Sequence, residues 1–157
     1  MEKPIIMANS YDWPKPSRFA ISYIAFNWGG HIGNKQLRWI EDDLKNTNAS
    51  IKFLLLHHNP LWDTKNDSLL RNVYEGRKEI LYLIGKYGIN AVLDGHVHYD
   101  NVSILNNTVY ITTTTAASRL GNKDAYWGYR MIKVRNWKLN SYNYKEPKYS
   151  SLLIGLT

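Results

Sequence analysis

The chain contains no cysteine. That removes a disulfide scaffold, a thiolate nucleophile and any zinc site built on sulfur. Long apolar runs are also missing. The longest, such as Phe53-Leu54-Leu55-Leu56, fall far short of the ~20 residues a membrane-spanning helix needs. Residues 1–20 are polar and proline-bearing, with no apolar stretch of the kind a secretory leader carries, so no signal peptide is expected in them. Acidic side chains are few, 13 against 20 Lys and Arg, which sets the net charge at +7. What remains is ordinary globular composition: 157 residues, 44% hydrophobic, enough for one domain with a true core.

The positive charge is unevenly placed. Between Ser118 and Ser150 eight Lys or Arg residues face only Asp124 and Glu146. Such a segment suits phosphate, nucleic acid or an acidic surface, or it is a solvated strand face rich in lysine. Aromatics are frequent at 13%, but scattered in a way that fits strands better than a platform for bases.

Pro4, Pro14 and Pro16 make residues 1–18 read as loop or arm. Phe19 to Phe26 is apolar and β-branched, which predicts a buried strand closed by Gly29-Gly30. Leu37, Ile40 and Leu44 recur at helical spacing behind Asn34, predicting a helix over 35–46 capped by that asparagine. Residues 51–56 and 89–93 are short apolar runs, the mark of strands covered on both faces. Between them, residues 77–87 predict a second helix with Ile80, Ile84 and Tyr87 on one face and Gly88 as its stop. Beyond residue 100 the pattern alternates and turns, predicting a β-meander over 101–105, 108–115, 127–135 and 138–144. The expected fold class is α/β (α+β): a single domain over 1–157 built on a mixed β-sheet with helices on one face.

Four of the five histidines stand immediately after the two most apolar runs. Loops at strand ends are where open α/β sheets place their chemistry. If the chain is extended there, His96 and His98 project to the same side, with Gly95 permitting close backbone approach. His57 and His58 would point to opposite sides, so only one of them is expected in a shared site. Imidazoles from two strand ends suit a transition metal. His31, among glycines in a loop, reads as structural.

The run Phe53-Leu54-Leu55-Leu56-His57-His58-Asn59-Pro60-Leu61, followed by Asp94-Gly95-His96-Val97-His98, resembles the last two motifs of the calcineurin-like metallophosphoesterases. Gly33-Asn34-Lys35-Gln36-Leu37-Arg38-Trp39-Ile40 is similar to the Gln-Leu-x-Trp-Leu helix preceding those motifs in many members. The likeness spans residues 30–115. It implies the C-terminal half of an αββα sandwich in which two divalent transition metal ions (Mn, Fe, Zn or Ni) drive hydrolysis of a phosphomonoester or phosphodiester. By the same resemblance His57 and His96 would bind one metal and His98 the other. His58, Asn59, Asp94 and Gly95 would support them. Asn59 stands between His58 and Pro60, where the commoner form runs His-His-Pro.

Three further motifs of that family, Asp-x-His, Gly-Asp-x-x-Asp and Gly-Asn-His-Asp, belong upstream of the helix. None occurs in residues 1–36, where Asp12 is the sole aspartate. No catalytic residue beyond the metal ligands is identifiable, and three neutral ligands without a bridging carboxylate leave two dications repelling one another. The chain alone is therefore expected to be a weak catalyst. Its expected partners are a phosphate-ester substrate and either a second copy or a separate N-terminal half, which would cover apolar sheet surface. Two other readings stand beside the enzyme: a non-catalytic remnant serving as a binding or scaffold module, and a nucleic-acid-binding module using the basic segment.

Overall fold

The computed structural model describes residues 5–10, 30–61, 74–117, 120, 123 and 126–145. Their elements, in chain order, are β1 (Ile5–Met7), α1 (Asn34–Lys45), β2 (Phe53–Leu55), α2 (Arg77–Tyr87), β3 (Ala91–Asp94), β4 (Asn101–Leu105), β5 (Thr108–Thr112), β6 (Tyr129–Arg135) and β7 (Lys138–Lys145).

Five strands form one mixed sheet in the order β1-β2-β3-β5-β4. The first four run parallel, and β4 closes one edge antiparallel to β5. Register sorts the side chains into two faces. Ile6, Leu54, Val92 and Tyr110 stand in one row and are all buried, packed against Leu37, Ile40 and Leu44 of α1 and Ile80, Leu83 and Ile84 of α2. Phe53, Ala91 and Val109 form the opposite row, where they meet Ile132 and Leu139 of the β6–β7 hairpin. The layers are therefore helices, mixed sheet and hairpin. A mixed sheet with both helices on one face is the expected fold class.

Both helices follow from their apolar spacing. Helix α2 and its Gly88 stop, with φ 61°, fall where the sequence places them. Helix α1 begins one residue early. Asn34 is already helical, and the cap position belongs to Gly33, which has extended backbone and no side-chain cap bond. The helices are tied together by Glu41, which accepts from Lys86 Nζ at 2.9 Å and from the Tyr87 hydroxyl at 3.0 Å.

Two expectations need correction. Residues 1–18 read as loop, yet Ile5–Met7 is a strand pairing with β2, because the ladder partners lie more than forty residues away, beyond the reach of local propensity. The meander is also two separate hairpins. β5 enters the main sheet beside β3, whereas β6 and β7 pair only with each other among the described residues. The predicted strand at 19–26 lies outside the described residues, as do 1–4 and 11–18 of the arm.

Gly76 has φ +78° at the cap of α2, and a Cβ there would stand 2.4 Å from the Ile32 carbonyl oxygen. Gly76→Ala should therefore cost about 1–3 kcal/mol through backbone strain and collision. Gly85, inside α2 with nothing within 4 Å of its virtual Cβ, should respond in the opposite sense. There alanine gains about 0.5–1 kcal/mol from reduced chain entropy. Urea unfolding of the two variants should move the midpoints in opposite directions, and movement in the same direction would refute this account of the turn.

Candidate metal centre

β2 and β3 are adjacent and parallel, so both release their chains at the same edge of the sheet. Past Leu55 and past Asp94 the backbone leaves the ladder in bends, and the two loops are stitched by Gly95 N–H donating to His57 O at 3.2 Å. That stitch brings the imidazoles together. His57 Nε2 lies 3.0 Å from His96 Nδ1. The His58 ring centre stands 4.3 Å from that of His96 and 4.8 Å from that of His57. One nitrogen from each of these three rings falls within 4.8 Å of the others.

The grouping differs from the expected one. His57 and His96 meet. His58, given a supporting role, is in the group, while the third expected ligand, His98, is not. His96 and His98 have φ of 65° and 55°, so the same-side rule of an extended strand does not govern them. His98 is held by its backbone, its carbonyl accepting from Thr114 Oγ1 at 3.0 Å. Its ring is near enough for its charge to act on His57. Nor do His57 and His58 diverge, because strand alternation ends at Leu55. Gly95 is no close-approach point, since a Cβ would meet only the Thr113 carbonyl at an ordinary 3.7 Å.

Ser10 is the residue that sequence reasoning missed. It is fully buried, and its Oγ accepts from the backbone N–H of both His57 and His58, each at 2.9 Å. The same hydroxyl lies 3.0 Å from His58 Nδ1 and also meets the Tyr74 hydroxyl, so it anchors both side chains. His58 thus stays one of the three rings whose nitrogens could hold one ion together. Ser10 O also accepts from His31 N–H at 2.8 Å, and the His31 ring pairs with Glu75 at 3.4 Å, the structural role expected of it. No local signal marks Ser10. Only the pairing of β1 with β2 delivers it there.

Asn59 is fixed by donating to Thr112 Oγ1 at 2.9 Å and accepting from Leu61 N–H at 2.7 Å. An ion pair from Arg130 of β6 to Asp100 ties the far end of the His96–His98 loop to the hairpin.

Electrostatics favour neutral imidazole. Loss of water around the His57 ring, and then the nearby His98, hold its pKa below the ordinary histidine value. The lone pair that a metal needs is thus present at neutral pH. The 3.0 Å between His57 Nε2 and His96 Nδ1 is a hydrogen-bond distance, and a tetrahedral ion at about 2.0–2.1 Å from both would need them only about 0.3 Å further apart. The pair therefore fits a transition metal. Imidazole donors suit Zn²⁺, Ni²⁺ or Cu²⁺ better than Mg²⁺ or Ca²⁺, which take oxygen ligands.

Asp94, at the end of β3, is buried, and burial pushes its carboxyl up to about 7. The Thr112 hydroxyl pulls in the other direction, but neither carboxylate oxygen meets the geometry of a hydrogen bond among the described residues. The folded state therefore keeps a proton that the unfolded chain has lost. In chelator, this group should lower stability as pH rises from about 4 to about 7, by up to ~1.4 kcal/mol per unit. His57 works oppositely, costing stability below its ordinary pKa, so the Asp94→Asn variant is the proper comparator. The advantage of Asp94→Asn over the parent should be larger at pH 8 than at pH 5 in urea unfolding. An advantage independent of pH would refute this assignment.

No protein-family model matches the chain. It is 26% identical over 100 residues to a probable glycerophosphodiester phosphodiesterase, GpdQ, of Arcobacter nitrofigilis, a match covering 61% of this chain and 37% of that protein. The aligned part is thus little more than a third of that relative's length. Among solved structures, the chain is similar to GAP50, described as the anchor in the inner membrane complex of Plasmodium. The TM-score is 0.48 at 16% identity, covering 82% of this chain and 40% of the other.

Proposed function

We propose that this chain forms the histidine side of a metal-dependent phosphoesterase centre acting on phosphomonoesters or phosphodiesters. The observation that carries the reading is the 3.0 Å approach of His57 Nε2 to His96 Nδ1 at the ends of two adjacent parallel strands. The distant phosphodiesterase relative supports it. A bound transition metal supplies Lewis acidity and a water that ionises near neutral pH. His57, His58 and His96 would hold it, and Ser10 fixes the backbone of both residues 57 and 58. His98 completes the loop as the ligand expected for a second ion. Neutral imidazoles alone do not compensate the repulsion of two dications, so carboxylates from another polypeptide segment would be needed to hold both ions.

That requirement also bears on partners. Ile5 and Met7, on β1, the edge strand among the described residues, are 56% and 70% exposed, a surface that a second copy or a chain carrying the missing motifs would cover. Sedimentation equilibrium decides between monomer and homo-oligomer.

The functional test is hydrolysis of bis-p-nitrophenyl phosphate with Mn²⁺ or Zn²⁺. Slow, metal-dependent turnover that disappears in His57→Ala is the expected result. Turnover that persists in chelator, or survives that substitution, contradicts the reading. Retention of folding and metal binding without turnover would favour the non-catalytic binding module.

A second reading rests on the hairpin. Trp127, Tyr129 and Trp137 are exposed beside Lys133, Arg135 and Lys138, and residues 126–145 contain no acidic side chain. Stacking faces among cations suit single-stranded nucleic acid. Salt-dependent retention on an oligonucleotide would support it, and elution at low salt would dismiss it.

A further inference from the structure

Two hairpins among the described residues close with the same kind of turn. Leu105 and Thr108 are the last paired residues of β4 and β5, leaving Asn106 and Asn107 as a two-residue loop with φ of 50° and 65°. Arg135 and Lys138 close β6 and β7 in the same way, leaving Asn136 and Trp137 with φ of 50° and 58°. Such loops need left-handed backbone at both central residues, the geometry for which Asn-Gly is the favoured pair. Asparagine tolerates it, whereas a bulky side chain is strained there. Trp137 is thus the residue out of place, and the fold gains little burial from it, since the ring is 63% exposed. Strain held at an exposed aromatic points to a use outside the core.

The tip ends a face of one character. Ile132 and Leu139 turn inward, where they pack against the sheet cluster of Phe53 and Ala91. By strand alternation Tyr129, Met131, Lys133 and Arg135 stand on the outer side, and their ladder partners there include Lys145 and Lys138. Tyr129 and these four cations are exposed, and residues 126–145 contain no carboxylate side chain. At ~3.4 Å per residue, about 20 Å of strand separates Tyr129 from Arg135 beside the tip. Rings spread along a cationic track match the bases and phosphates of one nucleic-acid strand. A bilayer surface favours apolar side chains gathered on one face, and here cations stand between the rings. Bases within a duplex are already stacked on their neighbours, so a projecting ring finds open base faces in a single strand.

We infer that Trp137 is a base-stacking residue, held outward by a strained turn, through which the hairpin binds unpaired nucleic acid along its cationic outer face. This inference rests on the nucleic-acid reading of the hairpin and is independent of the metal centre. It carries a signature that a merely structural tryptophan lacks: the substitution that relaxes the turn is the one that weakens binding.

The experiment pairs urea unfolding with fluorescence anisotropy of a labelled oligothymidine of about twelve nucleotides, on the full chain in chelator at low salt. Trp137→Gly should raise the unfolding midpoint and weaken oligothymidine binding about tenfold, the worth of one lost stacking contact. Asn107→Gly, at the same position of the other turn, should also raise the midpoint but leave binding unchanged. Trp137→Phe should keep affinity within about threefold of the parent, because its ring still stacks. Lys133→Gln should make the salt dependence shallower by about 0.7 in the log–log slope. A Trp137→Gly chain that binds as the parent does would overturn the role of Trp137 and leave the nucleic-acid reading standing. A lowered midpoint in that variant would refute the strained turn. A parent that ignores oligothymidine overturns both the inference and the reading beneath it, and its capture by phosphatidylserine-containing vesicles instead would assign the face to a membrane surface.

Discussion

A His96→Ala chain should bind Zn²⁺ about a hundredfold more weakly than the parent, or worse. The basis is geometric. His96 Nδ1 and His57 Nε2 are 3.0 Å apart, with one nitrogen of His58 in the same group. Removing His96 therefore takes away one of three clustered ligands. Changes in groups that merely support metal ligands already cost about 10–100-fold, so loss of a ligand should reach or pass the upper end. His31→Ala is the control. That ring pairs with Glu75 as a structural contact, and its loss should leave Zn²⁺ affinity unchanged. Competition calorimetry measures both. Equal affinities for parent and His96→Ala would remove the metal assignment.

The second large effect is expected at Ser10. Its hydroxyl receives two backbone N–H groups and contacts a buried imidazole, so Ser10→Ala strands the His58 N–H and imidazole nitrogen in the interior and the half-buried His57 N–H beside them. An unsatisfied buried group costs about 1–3 kcal/mol, and partial relaxation should bring the total to about 2–5 kcal/mol. The same substitution releases the His57-His58 backbone, so metal affinity should fall along with stability. Urea unfolding and a Zn²⁺ titration of the same variant give both readouts. A loss below about 0.5 kcal/mol, the range of ordinary surface changes, would contradict the role assigned to this hydroxyl.

These two residues mark what local sequence can and cannot disclose. The positions of His57 and His96 were legible because each follows an apolar run that had to be a buried strand, and adjacent parallel strands release their loops together. Helix α2 was legible for a similar reason: Ile80, Ile84 and Gly88 specify it without help from distant residues. Ser10 was not legible. The strand before it, Ile5–Met7, is three residues long, sits behind Pro4, and is a strand only because β2 lies alongside it. His98 lies outside the close ring group because a positive φ at both loop histidines turns the backbone out of the extended form on which the spacing rule depends. The uncharged state favoured at Asp94 follows from burial between layers, a tertiary property with no counterpart in the run Asp94-Gly95-His96.

The central claim is that imidazoles from two strand ends converge to hold one transition metal ion. X-ray absorption at the zinc edge, on the full chain loaded with one equivalent of Zn²⁺, examines the ligands themselves. The account predicts a first shell with at least two imidazole nitrogens at about 2.0–2.1 Å, with outer-shell scattering from their rings. A shell made only of oxygen, or one with a single imidazole, would contradict it.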